Sequence, residues 1–219
     1  MTFSLLGLCP RTGQVGSAVA TSMIGIGGRV PWVGSGTGGV LTQALADPGL
    51  ALIGLDLLRA GLPADATLDA MLAATPNARW RQLAVLDMQG GTACFHGEEL
   101  LPERGGAEEK GVVAIGNALA SAAVPAAMRD AFLAAPGESL AERLLRGLAA
   151  GHAAGGQRNE IFTAGLKVMG AERWPLVDLR VDLAPHPIEE LRRLWEHYRP
   201  LADWFVARAR DPANAGPRP

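Results

Sequence analysis

Thr2 stands directly behind the initiating methionine, and that position offers a chemistry no internal threonine has. Initiator methionine is commonly removed when the next side chain is small. Removal would leave Thr2 with a hydroxyl nucleophile and a free α-amine on one residue. Such an amine titrates near pH 7.7–8.0, so at neutral pH about a tenth or more of it is an unprotonated base beside the hydroxyl. A threonine paired with its own amine is an established way to activate a weak nucleophile. The competing reading is that Thr2 simply begins the β-strand of the apolar run Met1-Thr2-Phe3-Ser4-Leu5-Leu6. The catalytic reading requires Thr2 to lie within reach of a cavity.

Acyl chemistry also needs donors where negative charge develops on the carbonyl oxygen. Gly116-Asn117 closes a short apolar run, and Asn117 is the first choice for that contact; capping of the following turn is the alternative. Thr42 and Gln43 close another strand-like run after a glycine-rich stretch, so either could face a bound substrate or serve as an ordinary strand residue. Trp32 lies in the same stretch and either lines a pocket or packs in the core. Arg158 follows Gly155-Gly156 in a loop, where it could pair bidentately with a substrate carboxylate or simply be solvated. Ser4, Thr21 and Ser22 are candidates for a proton relay. The glycine-rich residues 25–39 lack the Lys-Ser/Thr ending of a phosphate-binding loop.

Composition narrows the classes. The chain has 219 residues, a formal charge of −2 and 5% aromatic residues. It therefore has neither the basic footprint nor the stacking platforms of a nucleic-acid binder. His96, His152, His186 and His197 show no metal-ligand spacing, and Cys9 and Cys94 sit in apolar runs as core thiols. No segment reaches membrane-spanning length, and no basic leader with a long apolar stretch opens the chain. A cytoplasmic protein needing no metal or organic cofactor is expected.

The elements that must position these residues follow from periodicity and punctuation. Residues 2–9 and 15–22 read as a hairpin around Pro10-Arg11-Thr12-Gly13-Gln14, and a further strand covers 38–44. Asp47-Pro48 starts a helix that stops near Gly61, and a second helix spans 64–74. Strands at 81–88 and 92–96 flank Gln89-Gly90-Gly91, and a buried strand covers 112–115. Helices are expected at 124–135 and 139–150, the latter with a Ser139/Glu142 capping box and Gly151 just past its end. Strands at 161–169 and 176–182 precede a helix from Pro187, which Pro200 ends before a further short turn or helix. Strands grouped apart from paired helices argue for an α+β, four-layer αββα sandwich of mainly antiparallel sheets. A single domain over 1–210 and a disordered tail at 211–219 complete the reading.

Taken in order, TFSLLGL at 2–8, TGQVGSAVATS at 12–22, VPWVGSGTGGVLTQ at 30–43, ADPGL with GLDLLRAG at 46–61, RQLAVLD at 81–87, GNALA at 116–120, AERLLRGLAAGHAAGG at 141–156 and VDLRVD with PIEELRRL at 177–194 resemble the DUF1028 family. That family is placed in the N-terminal nucleophile (Ntn) hydrolase superfamily. The resemblance implies the αββα sandwich and an N-terminal Thr, Ser or Cys attacking an amide carbonyl of a small molecule. Two positions depart from the family pattern: Gln157 stands where an acidic residue is frequent, and His96 directly precedes Gly97 where threonine is more usual. The alternative reading is a non-catalytic ligand-binding or oligomer-forming protein on the same scaffold. In either case a homodimer or higher homo-oligomer is expected, with Trp195, Trp204 and Phe205 offering a self-association surface.

Overall fold

The computed structural model describes residues 1–219. Two antiparallel sheets lie face to face, each covered on its outer side by helices. The larger sheet has the order β10-β9-β2-β1-β8-β7 and the smaller β3-β4-β5-β6. Their strands are β1 (Thr2–Cys9), β2 (Gln14–Thr21), β3 (Pro31–Gly34), β4 (Gly38–Ala44), β5 (Arg81–Asp87), β6 (Thr92–His96), β7 (Gly105–Glu109), β8 (Val112–Asn117), β9 (Thr163–Met169) and β10 (Pro175–Val181). Helices α1 (Pro48–Arg59) and α2 (Ala64–Ala73) cover the smaller sheet. The larger one carries α3 (Val124–Leu133), α4 (Leu140–Ala153), α5 (Pro187–Tyr198) and α6 (Ala202–Arg210). This is the α+β, αββα architecture.

Three apolar layers hold the sandwich, and strand alternation decides which residue enters which. On β1, Phe3 and Leu5 point outward to join Met128, Leu144 and Leu148 beneath α3 and α4. Leu6 and Leu8 point the other way and meet Leu41, Ala84 and Leu86 between the sheets. Val40, Leu83 and Val85 face α1 and α2, with Leu50, Leu55 and Met71. β1 is buried on both faces and central to its sheet, so it is apolar apart from Thr2 and Ser4 near its start.

The helix signals have specific counterparts. Asp47 caps α1 by accepting from the Gly49 N–H at 3.0 Å, with Pro48 at the first helical position. Ser139 caps α4 by accepting from the Glu142 N–H at 3.3 Å. The Glu142 carboxylate, however, turns to α5, accepting from Arg192 Nη1 at 2.5 Å and Trp195 Nε1 at 3.0 Å.

Other expectations change. α4 runs through Gly151 to Ala153, because Gly151 is where the helix meets Phe3 and Met128 closely: a Cβ there would lie 2.5 Å from Met128 Cγ. Trp195 is buried in the outer core and offers no free surface, whereas Phe205 is exposed and stacks with Tyr198. The glycine-rich stretch holds a 3₁₀ turn at Ile26–Gly28 and the edge strand β3. β7 is a second edge strand absent from the sequence reading.

Candidate functional site

Strand register assembles two polar rows at the end of the sandwich where the chain begins. In the larger sheet, Thr163 pairs with Thr21, Thr21 with Thr2, and Thr2 with Asn117. Residues directly opposed in an antiparallel ladder point to the same face. Their chain neighbours Phe3, Ala20 and Ala164 face the outer core, so the row itself faces the other sheet. In the smaller sheet, Gln43 pairs with Gln82 and Gln82 with His96. Leu41, Ala84 and Cys94, two residues away on each strand, belong to the inter-sheet layer. The two rows therefore confront one another.

Hydrogen bonds stitch them together. Ser4 Oγ donates to Gln43 Oε1 at 2.6 Å, and Gln43 Nε2 donates to Gln82 Oε1 at 2.7 Å and toward the Thr2 carbonyl at 3.4 Å. Asn117 Nδ2 donates to the same Gln82 Oε1 at 2.9 Å. Gln82 Nε2 lies 2.8 Å from the Gly116 carbonyl and 2.9 Å from His96 Nδ1. These side chains are buried or half-buried, and a buried polar group without a partner costs roughly 1–3 kcal/mol. The network is thus a strong constraint on the geometry around Thr2.

Thr2 itself sits beneath Met1. Its Oγ1 donates to the Met1 carbonyl at 2.6 Å and lies 3.2 Å from Thr21 Oγ1, while Thr21 donates to that same carbonyl at 2.6 Å. With Met1 in place Thr2 is only 4% exposed. It lines none of the five main clefts; two of these, of about 420 and 490 Å³, open at the opposite end of β1, beside Thr12 and beside Cys9. The requirement that Thr2 lie within reach of a cavity is therefore not met by the chain with Met1 in place, where the hydroxyl is closed to any substrate. Burial also holds the Met1 amine below its ordinary value of 8.0.

Backbone strain marks the same place. Ala44 and Ala118 are the two non-glycine residues with positive φ, at 69° and 50°. Each directly follows a network residue, Gln43 or Asn117. Conformations of this kind cost on the order of 1–3 kcal/mol and cluster at functional sites.

The electrostatics at the margin are set by β6 and β7. Burial lowers the His96 pKa below its ordinary 6.5, and Arg104 adds to this while Glu108 opposes it. Cys94 Sγ lies 3.6 Å from His96 Nε2 and donates to Glu108 Oε1 at 3.1 Å. Burial and then the Glu108 carboxylate push the Cys94 thiol up to about 12.

The sequence-derived candidates divide. Thr2, Asn117, Gln43, Ser4 and Thr21 come together. Thr42 does not: its register turns it to the helix side of the sheet, and its hydroxyl accepts from the Asp47 N–H at 3.0 Å. Trp32 also packs on that outer side, against the layer beneath α1 and α2, with Nε1 donating to the Arg29 carbonyl at 3.1 Å. Arg158 is exposed, but its N–H donates to the Ala118 carbonyl at 2.9 Å, which sets its backbone next to Asn117. Gln157 is buried and organises that loop, donating to the carbonyls of Asn159 and Glu160 at 3.1 and 3.2 Å. Gln82 was missed. Its signal was a glutamine placed directly before the apolar run Leu83–Leu86 of β5.

A crystal structure, protein SPO2555 from Silicibacter pomeroyi, itself described by the DUF1028 family model, is similar to this chain. The two share 31% identity over 90% of this chain and 85% of that one, with a TM-score of 0.84. Anbu (ancestral beta-subunit) from Yersinia bercovieri aligns over 94% of this chain and 97% of its own at 9% identity. Its TM-score of 0.41 is too low to carry an argument. No curated protein matches the sequence. Residues 2–191 match the model described as "Family of unknown function (DUF1028)", and the chain belongs to that family.

Proposed function

We propose that the protein is an Ntn-type hydrolase of an amide-type C–N bond in a small molecule, acting through Thr2 after Met1 is removed. The observation that carries this reading is the environment of the Met1 carbonyl: an amide carbonyl held by the Thr2 and Thr21 hydroxyls, both at 2.6 Å. Loss of Met1 vacates that space and turns the Thr2 nitrogen into a free amine. Burial lowers the Met1 amine in the intact chain; the new Thr2 amine is an α-amine, whose ordinary value of about 7.7–8.0 already leaves part of it unprotonated at neutral pH, as a general base requires.

In this mechanism the amine takes the Thr2 hydroxyl proton as Oγ1 attacks the substrate carbonyl. The tetrahedral intermediate collapses to an ester, and the amine's proton passes to the departing nitrogen. Water, deprotonated by the same amine, then hydrolyses the ester and restores Thr2. Asn117 is the proposed donor to the developing oxyanion, because it stands beside Thr2 in register and one of its two amide hydrogens remains after the bond to Gln82. Gln43, and Arg158 at the loop margin, are the proposed substrate contacts; the outward registers of Thr42 and Trp32 favour structural roles.

A second reading is favoured by one observation. Met23, Ile24, Leu45, Leu101 and Leu183 are each more than half exposed, and all follow or pair beside strand ends at the Thr2 end. An apolar rim of this kind suits a binding or self-associating protein as well as a substrate entrance. The two readings separate in a screen of small amides, ureido compounds and lactams. The hydrolase gives turnover that Thr2→Ala abolishes while far-UV circular dichroism is unchanged, and its intact mass lacks one methionine. Saturable binding without turnover supports the second reading, whereas full activity in Thr2→Ala refutes catalysis through Thr2.

A further inference from the structure

We infer that Gln82 is the positioning residue of this site, holding the Asn117 amide in one orientation beside Thr2, and that the neutral imidazole of His96 fixes which way round Gln82 sits. For its catalytic consequence the inference rests on the Thr2 reading; the orientation of the network does not.

Backbone groups settle the orientation. The Gly116 carbonyl can only accept, so the Gln82 atom 2.8 Å from it is the amide nitrogen. Gln82 Oε1 must then face Gln43 and Asn117, and both present their amide nitrogens to it, at 2.7 and 2.9 Å. Gln43 is fixed in the same sense, because its Oε1 takes the Ser4 hydroxyl proton. The Gln82 amide nitrogen gives one hydrogen to Gly116 and the other toward His96 Nδ1 at 2.9 Å, with the Gly105 carbonyl a more distant acceptor at 3.4 Å; a nitrogen that only donates cannot face an Nδ1–H. Nδ1 must accept. The ring is neutral and carries its proton on Nε2, which faces Cys94 Sγ.

The donors consequently run one way, from Ser4 through Gln43, Gln82, His96 and Cys94 to the Glu108 carboxylate. Protonating His96 sets an Nδ1–H against the Gln82 N–H. Turning the Gln82 amide over relieves that clash only by presenting its nitrogen to two other donors and an oxygen to the Gly116 carbonyl. Either way Asn117 loses its anchor. The charged and titratable groups around the ring are Cys94 on its own strand, Glu108 on β7 and Arg104 just before it; Gln82 on β5 and Gly106 on β7 close its remaining sides. Burial, the largest influence on this ring, keeps it neutral.

The test uses the Met1-free protein with ¹⁵N-labelled histidine and an alkyl β-lactone as probe. In the wild type, the His96 ring at neutral pH gives the signature of a proton on Nε2 alone. Gln82→Glu keeps an acceptor for Asn117 but removes the donor to Nδ1, so His96 becomes doubly protonated at neutral pH and Thr2 acylation slows roughly 10- to 100-fold, the scale of a small misplacement. In the wild type, log rate against pH approaches a slope of about two at low pH, one proton on the Thr2 amine and one on His96. His96→Gln, which can still accept from Gln82 but does not titrate, reduces that slope to about one. A proton on Nδ1 in the wild type would overturn the inference, as would an unchanged slope in His96→Gln. Should Gln82→Glu fail to fold, the wild-type ring signature and the His96→Gln slope decide it. Absence of any Thr2 adduct in the wild type defeats the hydrolase reading alone, and the ring signature still judges the network.

Discussion

His96 and Cys94 are neighbours on one face of β6, and their surroundings shift their pKa values in opposite directions, which leaves both neutral at neutral pH. His96 has its pKa depressed by burial, so the folded protein favours the neutral ring while the unfolded chain takes up a proton near 6.5. Its contribution to stability is therefore present above that value and is lost as pH falls through the lower folded value. Chemical denaturation at a series of pH values should show an acid loss of stability that His96→Gln diminishes; an identical pH dependence in the variant contradicts this. Cys94, pushed up to about 12, stays a thiol at neutral pH and should alkylate with iodoacetamide far more slowly than a free cysteine of ordinary pKa. Labelling as fast as a model thiol would contradict its burial against Glu108. At this scale the sequence was partly legible. Thr2, Asn117 and Gln43 announced themselves by position or by ending a strand, but Gln82 did not. A glutamine directly before an apolar run becomes meaningful only when register reveals which carbonyls and amides surround it. Thr42 illustrates the converse, since a one-residue step along β4 turns a hydroxyl from the inter-sheet space to the helix side.

Among the elements, α4 is the one whose sequence must keep small residues on a chosen face. A Cβ on Gly147 would lie 2.7 Å from Leu5 Cδ1 and 2.9 Å from the Met128 carbonyl oxygen, and one on Gly151 would meet Met128 at 2.5 Å. Gly147→Ala should cost about 1–3 kcal/mol despite alanine's better helix propensity, because overpacking against backbone outweighs the propensity gain. Urea denaturation measures this directly, and a stabilised Gly147→Ala would refute the packing of α4 on β1. Asp47→Ala should cost about 1 kcal/mol through the lost α1 cap, in the same assay. Strong signals made most elements readable. Two-sided apolar runs gave β1, β2 and β8, while Asp47-Pro48 and Ser139 gave helix starts. β3 and β7 were hidden because they are short and carry few apolar side chains, unlike the edge strands β6 and β10, which the sequence did reveal. β3 shows its alternation through Trp32 and Val33 alone, and β7 reads Gly-Gly-Ala-Glu-Glu with only Ala107 buried. α4 ran past Gly151 because a tertiary contact overrode a stop signal.

At the scale of the whole molecule, the topology brings both polar rows, both strained alanines and an exposed apolar rim to a single end of the sandwich. No helix is long and apolar enough to cross a membrane; the rim is a separate feature of the surface. If it is a self-association surface, Leu45→Asp with Leu183→Asp should move the protein to lower mass in size-exclusion chromatography with light scattering; an unchanged mass leaves the rim to substrate entry. The central claim is that Met1 removal opens Thr2 as a nucleophile, because the hydroxyl is buried beneath Met1 and bonded to its carbonyl until then. The most direct test treats the purified protein with an alkyl β-lactone and maps the product by peptide mass spectrometry. The account predicts a chain that begins at Thr2 and carries one ester adduct on that residue, absent from Thr2→Ala. A chain that keeps Met1 yet turns over an amide, or an adduct on any residue other than Thr2, would contradict it.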